Sequence, residues 1–500
     1  MECALSAPGA STEHGERDMK KFKTRDTSLL THVYKLIAVI ASTLLAGSLP
    51  AQDRDGATPP QKGATSYDQI SPALLGKESF QDVMAKDKAG KAAVIARQRQ
   101  LLEERYELAS KPHASVKMSR GKPIQVGPTA KLPDGTTWEQ LAGMSPEEIR
   151  NQGRFPKGFL PLPHPNHAAG GMLFPQNEIK AVPRLERFDL DFDLPDHFLA
   201  EFPPAIFLIT RPDLGDVSQG KFVTVTNFQE IFGGILNAKD LEGFRLLVTQ
   251  FPQQQFNATA DRKTERPDGM QGVSCFDCHA NGHTSGATHL VGDIRPQAHR
   301  RRIDTPSLRG VNIQRLFGSQ RALKSVEDFT EFEQRAAYFD GDHVSAAAKG
   351  VNPLERGSQV HFMSEVQNLL DFPPAPGLNV FGKLDPKKFN ADSLEMKGQE
   401  LFFGKAQCAT CHPAPFYTDN TMHDLKVERF YKTQTINGLV ATAQGPIKTF
   451  PLRGIKDSPP YFHDGRLLTL EDNVEFFNLV LELKLNKQEK ESLVAFMRQL

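Results

Sequence analysis

Two five-residue stretches, Cys275-Phe276-Asp277-Cys278-His279 and Cys408-Ala409-Thr410-Cys411-His412, gather the chain's most reactive residue types in one spacing. Each reads Cys-x-x-Cys-His, and four of the five cysteines fall in them. That spacing is the attachment site of a c-type haem. Two intervening residues put both sulfurs on one edge of the macrocycle, where they add across its vinyl groups. The next residue then comes up beneath, with its imidazole toward the iron. A zinc site or a thiol–disulfide pair also uses Cys-x-x-Cys. The two pairs stand 133 positions apart, however, unlike the close pairs of a zinc ribbon. A redox pair would leave the following histidine unexplained. Two covalent haem c groups are therefore expected, on Cys275, Cys278, Cys408 and Cys411, with His279 and His412 as iron ligands.

An internal repeat surrounds these motifs. Leu308-Arg309-Gly310-Val311, then Val326-Glu327-Asp328 and Glu331-Phe332, match Leu452-Arg453-Gly454-Ile455, then Leu470-Glu471-Asp472 and Glu475-Phe476, without a gap at an offset of 144. Thr284 leads to His289 as Thr418 leads to His423. The expectation is two copies of one mono-haem domain. The copies differ in places: Pro460-Tyr461-Phe462-His463-Asp464-Gly465-Arg466 lies opposite a stretch in which Ser319 faces His463. His463, Asp464 and Arg466 could bind haem propionates, hold a network around an iron ligand, or simply form a turn at Asp464-Gly465.

The elements that must position the haems read as helices. Phe228, Ile231, Phe232, Ile235 and Leu236 share a face, and Leu241, Phe244, Leu246 and Leu247 follow. Asp392 with Glu395 makes a capping-box-like start to a helix reaching Phe403. Leu493, Val494, Phe496, Met497 and Leu500 predict a closing helix over 486–500. Upstream, 79–110 reads as one or two amphipathic helices, and 111–205 is proline-rich, which disfavours long regular elements. There Phe188, Leu190, Phe192 and Leu194 alternate with aspartates as a short strand, or with Phe198 cover apolar haem surface, and His164 and His167 read as surface residues or metal ligands.

Lys20, Lys21, Lys23, Arg25 and Lys35, the apolar run from Leu36 to Gly47 and small residues near Ser48 to Ala51 have the order of a signal peptide. Met19 is an alternative start, which would leave Cys3 outside the protein. Export fits haem c, which is attached outside the cytoplasm, so a periplasmic location is expected. The 500 residues suggest about two to four domains. The division is a signal peptide at 1–51, an N-terminal extension at 52–225 beginning with a Gly/Pro/Asp/Gln-rich linker, and haem domains at 226–345 and 346–500. The formal net charge is zero, so nothing directs the chain to nucleic acid or an anionic membrane.

These motifs, with Thr305-Pro306-Ser307-Leu308-Arg309-Gly310, Lys397-Gly398 and Phe416-Tyr417-Thr418-Asp419, resemble the bacterial di-haem cytochrome c peroxidase family, which includes the methylamine-utilisation di-haem enzyme. They fall within 226–500; the extension is similar only in length to that of the rubber-cleaving di-haem oxygenases. The resemblance implies one haem that meets hydrogen peroxide and one that passes in electrons from a small redox protein, a cytochrome c or cupredoxin. It also implies a calcium ion near Asp304 and allows a homodimer. The departures are specific. Ser319, with Phe317 nearby, stands where the family has a tryptophan between the haems, and Trp138 lies in the extension. Pro446 or Ile447 stands where the family places a sixth iron ligand, with Met422, His423 and Tyr431 as substitutes. A distal histidine would be His283, His289 or His299, and a distal acid Glu331, Glu333, Asp340 or Asp342.

The expected fold is mainly α: two cytochrome-c-like domains related by duplication, plus a largely irregular proline-rich extension. The expected function is periplasmic, peroxidase-like oxidoreductase chemistry. The alternatives are a non-catalytic electron carrier and a di-haem oxygenase acting on an organic substrate.

Overall fold

A computed structural model describes residues 80–162, 172–186, 194–250, 274–290, 302–336, 353–436, 439–440 and 444–500. The signal segment with Cys3, the linker, His164, His167, the 188–192 alternation, His299, Asp340 and Asp342 lie outside these residues. The described chain is mainly helical with small antiparallel sheets. Among the described residues no helix is long and apolar enough to cross a membrane.

The 79–110 pattern forms a single helix, α1 (Phe80–Arg105). It stops where Arg105 turns inward to donate to the carbonyls of Leu160 and Pro161 at 3.0 and 2.9 Å. A pair of strands follows, β1 (Pro112–Lys117) and β2 (Pro123–Gln125). Then come two short helices, α2 (Trp138–Gly143) and α3 (Pro146–Gln152), each opened by a capping box, Thr137 with Gln140 and Ser145 with Glu148. Each such cap is worth about 1 kcal/mol. Strand β3 (Met172–Leu173) and helix α4 (Gln176–Ala181) complete the regular part of the extension.

The apolar face from Phe228 divides into α5 (Phe228–Phe232) and α6 (Ala238–Val248). Gly233-Gly234 interrupts it, and Asn237 restarts it by accepting from the Lys239 and Asp240 amides. The first haem motif is one turn, α7 (Cys275–Cys278). Strands β4 (Thr288–Leu290) and β5 (Arg302–Asp304) join β3 in the order β3-β4-β5. Helices α8 (Val326–Ala336) and α9 (Pro353–Gln367) follow. Next come α10 (Leu394–Phe403), the pair β6 (Met422–His423) and β9 (Ile447–Lys448), and between them β7 (Thr435–Ile436) with β8 (Leu439–Val440). Helices α11 (Leu470–Val480) and α12 (Lys487–Met497) end the chain. The start of α10 differs from the sequence reading by one residue: Ser393, not Asp392, is the N-cap, its hydroxyl accepting from the Met396 amide.

Two helix crossings organise the cores. In one, α6 lies so close to α9 that a Cβ on Gly243 would overlap the Phe362 carbonyl. In the other, α10 meets α12 where a Cβ on Gly398 would overlap the Ser492 carbonyl. Around the first crossing, Phe232, Phe244, Phe276, Val360, Met363, Val366 and Leu370 form one buried cluster, so this core reaches beyond residue 345. Around the second, Phe402, Tyr417, Phe476, Val494 and Phe496 form another. Leu141, Ile149, Phe155 and Phe159 of the extension are buried in that second cluster, and Trp138 packs against it. Leu102, Tyr106, Leu162 and Phe198 of the extension share a further cluster with Leu468.

Several local geometries recur at the offset of 144. Gly310 and Gly454 both hold positive φ, 73° and 72°, and their amides donate to Leu370 O and Leu500 O, each at 2.9 Å. The bridge Phe317–Leu323 matches Tyr461–Leu467. The carboxylate of Asp328 accepts from the Lys324 amide, as that of Asp472 accepts from Leu468. The recurrence even crosses between the halves: the Asp304 amide donates to His463 O at 2.9 Å, and the Lys448 amide to Ser319 O at 3.0 Å.

Candidate haem-binding sites

In the first site, α7 is short because its four residues supply only the two cysteines and the turn between them. Asp277 closes the capping box by accepting from the Ser274 amide at 2.6 Å. It is fully buried, and both carboxylate oxygens also receive the Arg184 guanidinium, at 2.6 and 2.7 Å. Arg184 belongs to the extension. Phe276 packs edge-on against Phe244 of α6, with ring centroids 5.1 Å apart. Cys275 therefore borders the α6–α9 cluster, whereas Cys278 borders Phe174, Ile179, Val182, Leu185 and Ala287, mostly from the extension.

His279 Nδ1 lies 2.8 Å from the Pro306 carbonyl. A carbonyl only accepts, so Nδ1 carries the proton and Nε2 keeps its lone pair for iron. Burial pushes the imidazole down to about 4, against which its backbone hydrogen bonds act weakly, so the ring is neutral at pH 7. His412 repeats the arrangement, with Nδ1 2.7 Å from the Tyr417 carbonyl, and burial lowers its pKa too. Tyr417 is held rigidly for this purpose. It is fully buried beside Phe402 and Phe496, its hydroxyl donates to the Gly382 carbonyl, and its φ is 61°. Burial raises the Cys278 thiol well above its ordinary range and the Cys408 thiol to about 12, so both are protonated at neutral pH.

Buried polar atoms with no hydrogen bond also gather around the first site. They are both carboxylate oxygens of Glu178 on α4, Ser285 Oγ, Thr288 Oγ1 and Asp304 Oδ1. Glu178 acts electrostatically on Cys278, and burial raises its carboxyl well above the usual range, with Ser285 as its polar neighbour. Groups of this kind want a partner that the polypeptide does not supply. Two Cys-x-x-Cys turns, two histidines with Nε2 left open, aromatic walls and orphaned polar groups together fit covalently bound haem c.

No family model matches the chain. The methylamine utilization protein MauG of Methylorubrum extorquens is 30% identical over 130 residues, covering 23% of this chain and 36% of that protein. The cytochrome c551 peroxidase of Nitrosomonas europaea is 33% identical over 124 residues, with 23% and 36% covered. The cytochrome-c peroxidase IdrP2 of Denitromonas iodatirespirans is 30% identical over 145 residues, with 22% and 40% covered. The chain thus spans well under half the length of each curated relative. Among solved structures, a hydrazine synthase of Kuenenia stuttgartiensis has a TM-score of 0.36 at 19% identity, covering 56% of this chain and 93% of that one. A MauG-like protein associated with microbial copper homeostasis has 0.31 at 16%, with 46% and 83% covered. Over less than a quarter of its length the chain is similar to bacterial cytochrome c peroxidases and MauG.

The sixth iron positions are where the sequence left alternatives. His283 is removed from that set. It is buried, its Nε2 donates to the Asp457 carbonyl at 2.9 Å, and its Nδ1 accepts from the Ser307 hydroxyl at 2.7 Å. Nε2 ties the first half to the second and Nδ1 is held within the first, so neither is left for iron. His289 stands on β4 opposite Met172 and Ile303. His423 Nε2 is 2.7 Å from Asp419 Oδ2. Burial alone would raise the Asp419 carboxyl, but hydrogen bonds from Thr421 and His423 outweigh it and hold it at about 2. Met422 stands opposite Lys448 in the β6–β9 ladder. Tyr431 packs 5.6 Å from the Phe155 ring of the extension. Glu331 and Glu333 are half-buried on α8, and Glu333 lies close enough to act on Cys278. Asp304, the residue near the family's calcium position, is pushed well above the carboxylate range by burial. Among the described residues no group of three or more His, Cys, Asp or Glu side chains is placed to hold a metal ion.

In the His463–Asp464–Arg466 group, the described contacts are those of a network that reaches the extension. Arg466 is fully buried on Asp464, with nitrogen–oxygen distances of 2.8 and 2.9 Å, and donates to the Phe159 carbonyl. Asp464 accepts from the Leu162 amide. The pair is spent on anchoring the extension. Glu178 and Arg184 were missed by sequence reasoning because no motif marks them; their role depends on contacts made about a hundred residues downstream.

Proposed function

We propose that the chain is a periplasmic di-haem c-type oxidoreductase of the peroxidase-like kind, taking electrons from a small cytochrome c or cupredoxin and reducing hydrogen peroxide. The observation that carries this reading is the repeated histidine geometry: His279 and His412 each spend Nδ1 on a backbone carbonyl and keep Nε2 for iron. The haems would be held by Cys275, Cys278 and His279 and by Cys408, Cys411 and His412, and when bound they supply redox-active iron. The chain's own residues orient the two imidazoles, keep them neutral and exclude water with Phe276, Phe402 and Phe496. Relatives named as cytochrome c peroxidases support the same class.

The geometries that recur at 144 support two copies of one haem module. The α6–α9 and α10–α12 crossings support ending the first module near Leu370 and starting the second near Leu394. Export is supported by haem c itself, which is attached outside the cytoplasm.

Optical and EPR spectra of the purified protein, oxidised and half-reduced, with and without peroxide, test the function. The expected result is one high-spin haem in the half-reduced state that reacts with peroxide while a reduced cytochrome is consumed. Two low-spin haems inert to peroxide would replace this reading with an electron carrier. Dioxygen consumption with an organic substrate and no peroxide turnover would replace it with an oxygenase.

A further inference from the structure

The junction between the two halves contains a buried lysine. Lys448, on β9, is only 3% exposed. Its Nζ is 2.9 Å from Gln314 Oε1, 5.4 Å from the Phe317 ring centre and 5.1 Å from that of Phe450. Among the described residues no carboxylate lies within ion-pair distance of it. The charged group that acts on it is another cation, Arg321, whose Nε is buried without a hydrogen bond. Burial, with Arg321 adding to it, pulls the ammonium down to about 8.

Two cations with no anion make an expensive arrangement. A buried charge is tolerated when it is paired, and removal of its partner is strongly unfavourable. The Phe317 and Phe450 rings offset a part through cation–π attraction, and one amide oxygen offers one hydrogen bond. The remaining demand is for a carboxylate, which the described residues do not supply. A haem c brings two, its propionates. The position is right for the second haem. The Phe450 backbone neighbours His412, two residues past Lys448. In the recurrent geometry Lys448 stands where the first half has Asp304: each amide donates across to the other half. The equivalent junction positions thus hold an acid in one half and a base in the other. No carboxylate is expected to approach Asp304 in the same way.

We infer that Lys448, supported by Arg321, is the counter-cation of a propionate of the haem carried by Cys408, Cys411 and His412, and that it raises the reduction potential of that haem. This rests on the di-haem reading above. A fixed positive charge beside the group disfavours the more oxidised, more positive state, so its removal lowers the potential.

The test is spectroelectrochemical titration of the full-length di-haem protein and its Lys448→Met, Lys448→Arg and Arg321→Gln variants, after mass spectrometry has counted the attached haems. Fewer than two haems on the parent protein would sink the di-haem reading itself. With two attached, Lys448→Met is expected to shift the one-electron equilibrium of the second haem about tenfold toward oxidation, roughly 59 mV. Lys448→Arg is expected to restore most of it, and the first haem to stay within twofold. If Lys448→Met does not fold, Arg321→Gln carries the test, with a smaller shift of the same sign. Unchanged potentials, or a shift confined to the first haem, overturn the inference.

Discussion

Replacing Arg184 should loosen the first haem site and leave the second alone. Asp277 is fully buried and has three donors: Arg184 Nη1 and Nη2 and the Ser274 amide. Arg184→Met removes two of the three and leaves a buried carboxylate with one backbone partner. Breaking a buried pair in this way costs about 3–5 kcal/mol. The Arg184 side chain is 19% exposed, so the lower end applies, ~3 kcal/mol. Asp277→Asn is milder. Its amide oxygen still caps Ser274, and Arg184 can turn to water, so about 1–2 kcal/mol is expected. The double variant should be no worse than Arg184→Met alone, because the stranded charge is gone. The second motif has Thr410 at the corresponding position and no such clamp. Local hydrogen exchange is the assay, since a 500-residue chain does not offer one two-state transition. At 1.4 kcal/mol per decade, 3 kcal/mol is about a hundredfold faster exchange across 176–186 and 274–279. Exchange across 394–412 should not change. Single variants that each accelerate exchange less than about twofold, with an additive double, would show the pair to be as weak as an exposed one and refute the reasoning.

Two further outcomes follow from buried groups. Burial raises Glu178 well above the carboxylate range, so the folded state holds its proton to higher pH than the unfolded state does. The unfolded chain then binds fewer protons as pH rises through the ordinary carboxylate value, and stability falls from there up to the folded pKa. Glu178→Gln should flatten that part of the pH–stability curve and raise the unfolding midpoint at pH 8; an unaltered curve would place the acid's cost elsewhere. Gly398→Ala should separate α10 from α12, since its Cβ meets the Ser492 carbonyl. The loss is on the order of 3 kcal/mol by the overpacking scale, read as a lower denaturation midpoint, whereas Gly90→Ala on α1, where a Cβ meets nothing, should be neutral or better.

What the sequence disclosed was local in origin. The Cys-x-x-Cys-His turns are set by the geometry of a ring and two thiols, so five residues suffice to reveal them. The closing helix was legible because its stripe has period 3.6 and Asn486 with Glu489 caps it. The two Leu-Arg-Gly turns were legible because each needs positive φ, at Gly310 and at Gly454. The misread parts are polar and long-range. His283 has the sequence appearance of a candidate ligand, yet Ser307 and Asp457 consume both nitrogens. For Arg466 and Asp464 the spacing left propionate binding, a network and a turn open, and it gave no sign of their partners, the carbonyl of Phe159 and the amide of Leu162. No periodicity encodes which backbone a buried carboxylate will meet 300 residues away. The same limit hid the extension's part in the first haem site.

The extension's anchors share one chemical form. Arg105 donates to two carbonyls of its own loop, Tyr106 OH lies 2.7 Å from the Arg466 carbonyl, Thr129 and Ala130 donate to Asp472, and Arg184 donates to Asp277. Asp472 makes the point most clearly. Its equivalent in the first copy, Asp328, caps a helix and does no more. Asp472 caps α11 in the same way and also receives three donors from the extension. Both carboxylates cap a helix, and only that of Asp472 is also a docking point. Buried charges of this kind add little net stability, but they tolerate only one register of the chain laid over them. Asp277 and Arg184 do the same at the first haem turn. A polypeptide that engages the first copy through Asp277 and the second through Asp464 and Asp472 restricts how the two can move against each other. On the proposed di-haem reading, fixing the separation of the two haems is a function in itself. Residues 226–500 alone would lack the extension's donors to all three carboxylates, so the extension belongs to the same folded body as the residues it docks on, despite the absence of any motif in it.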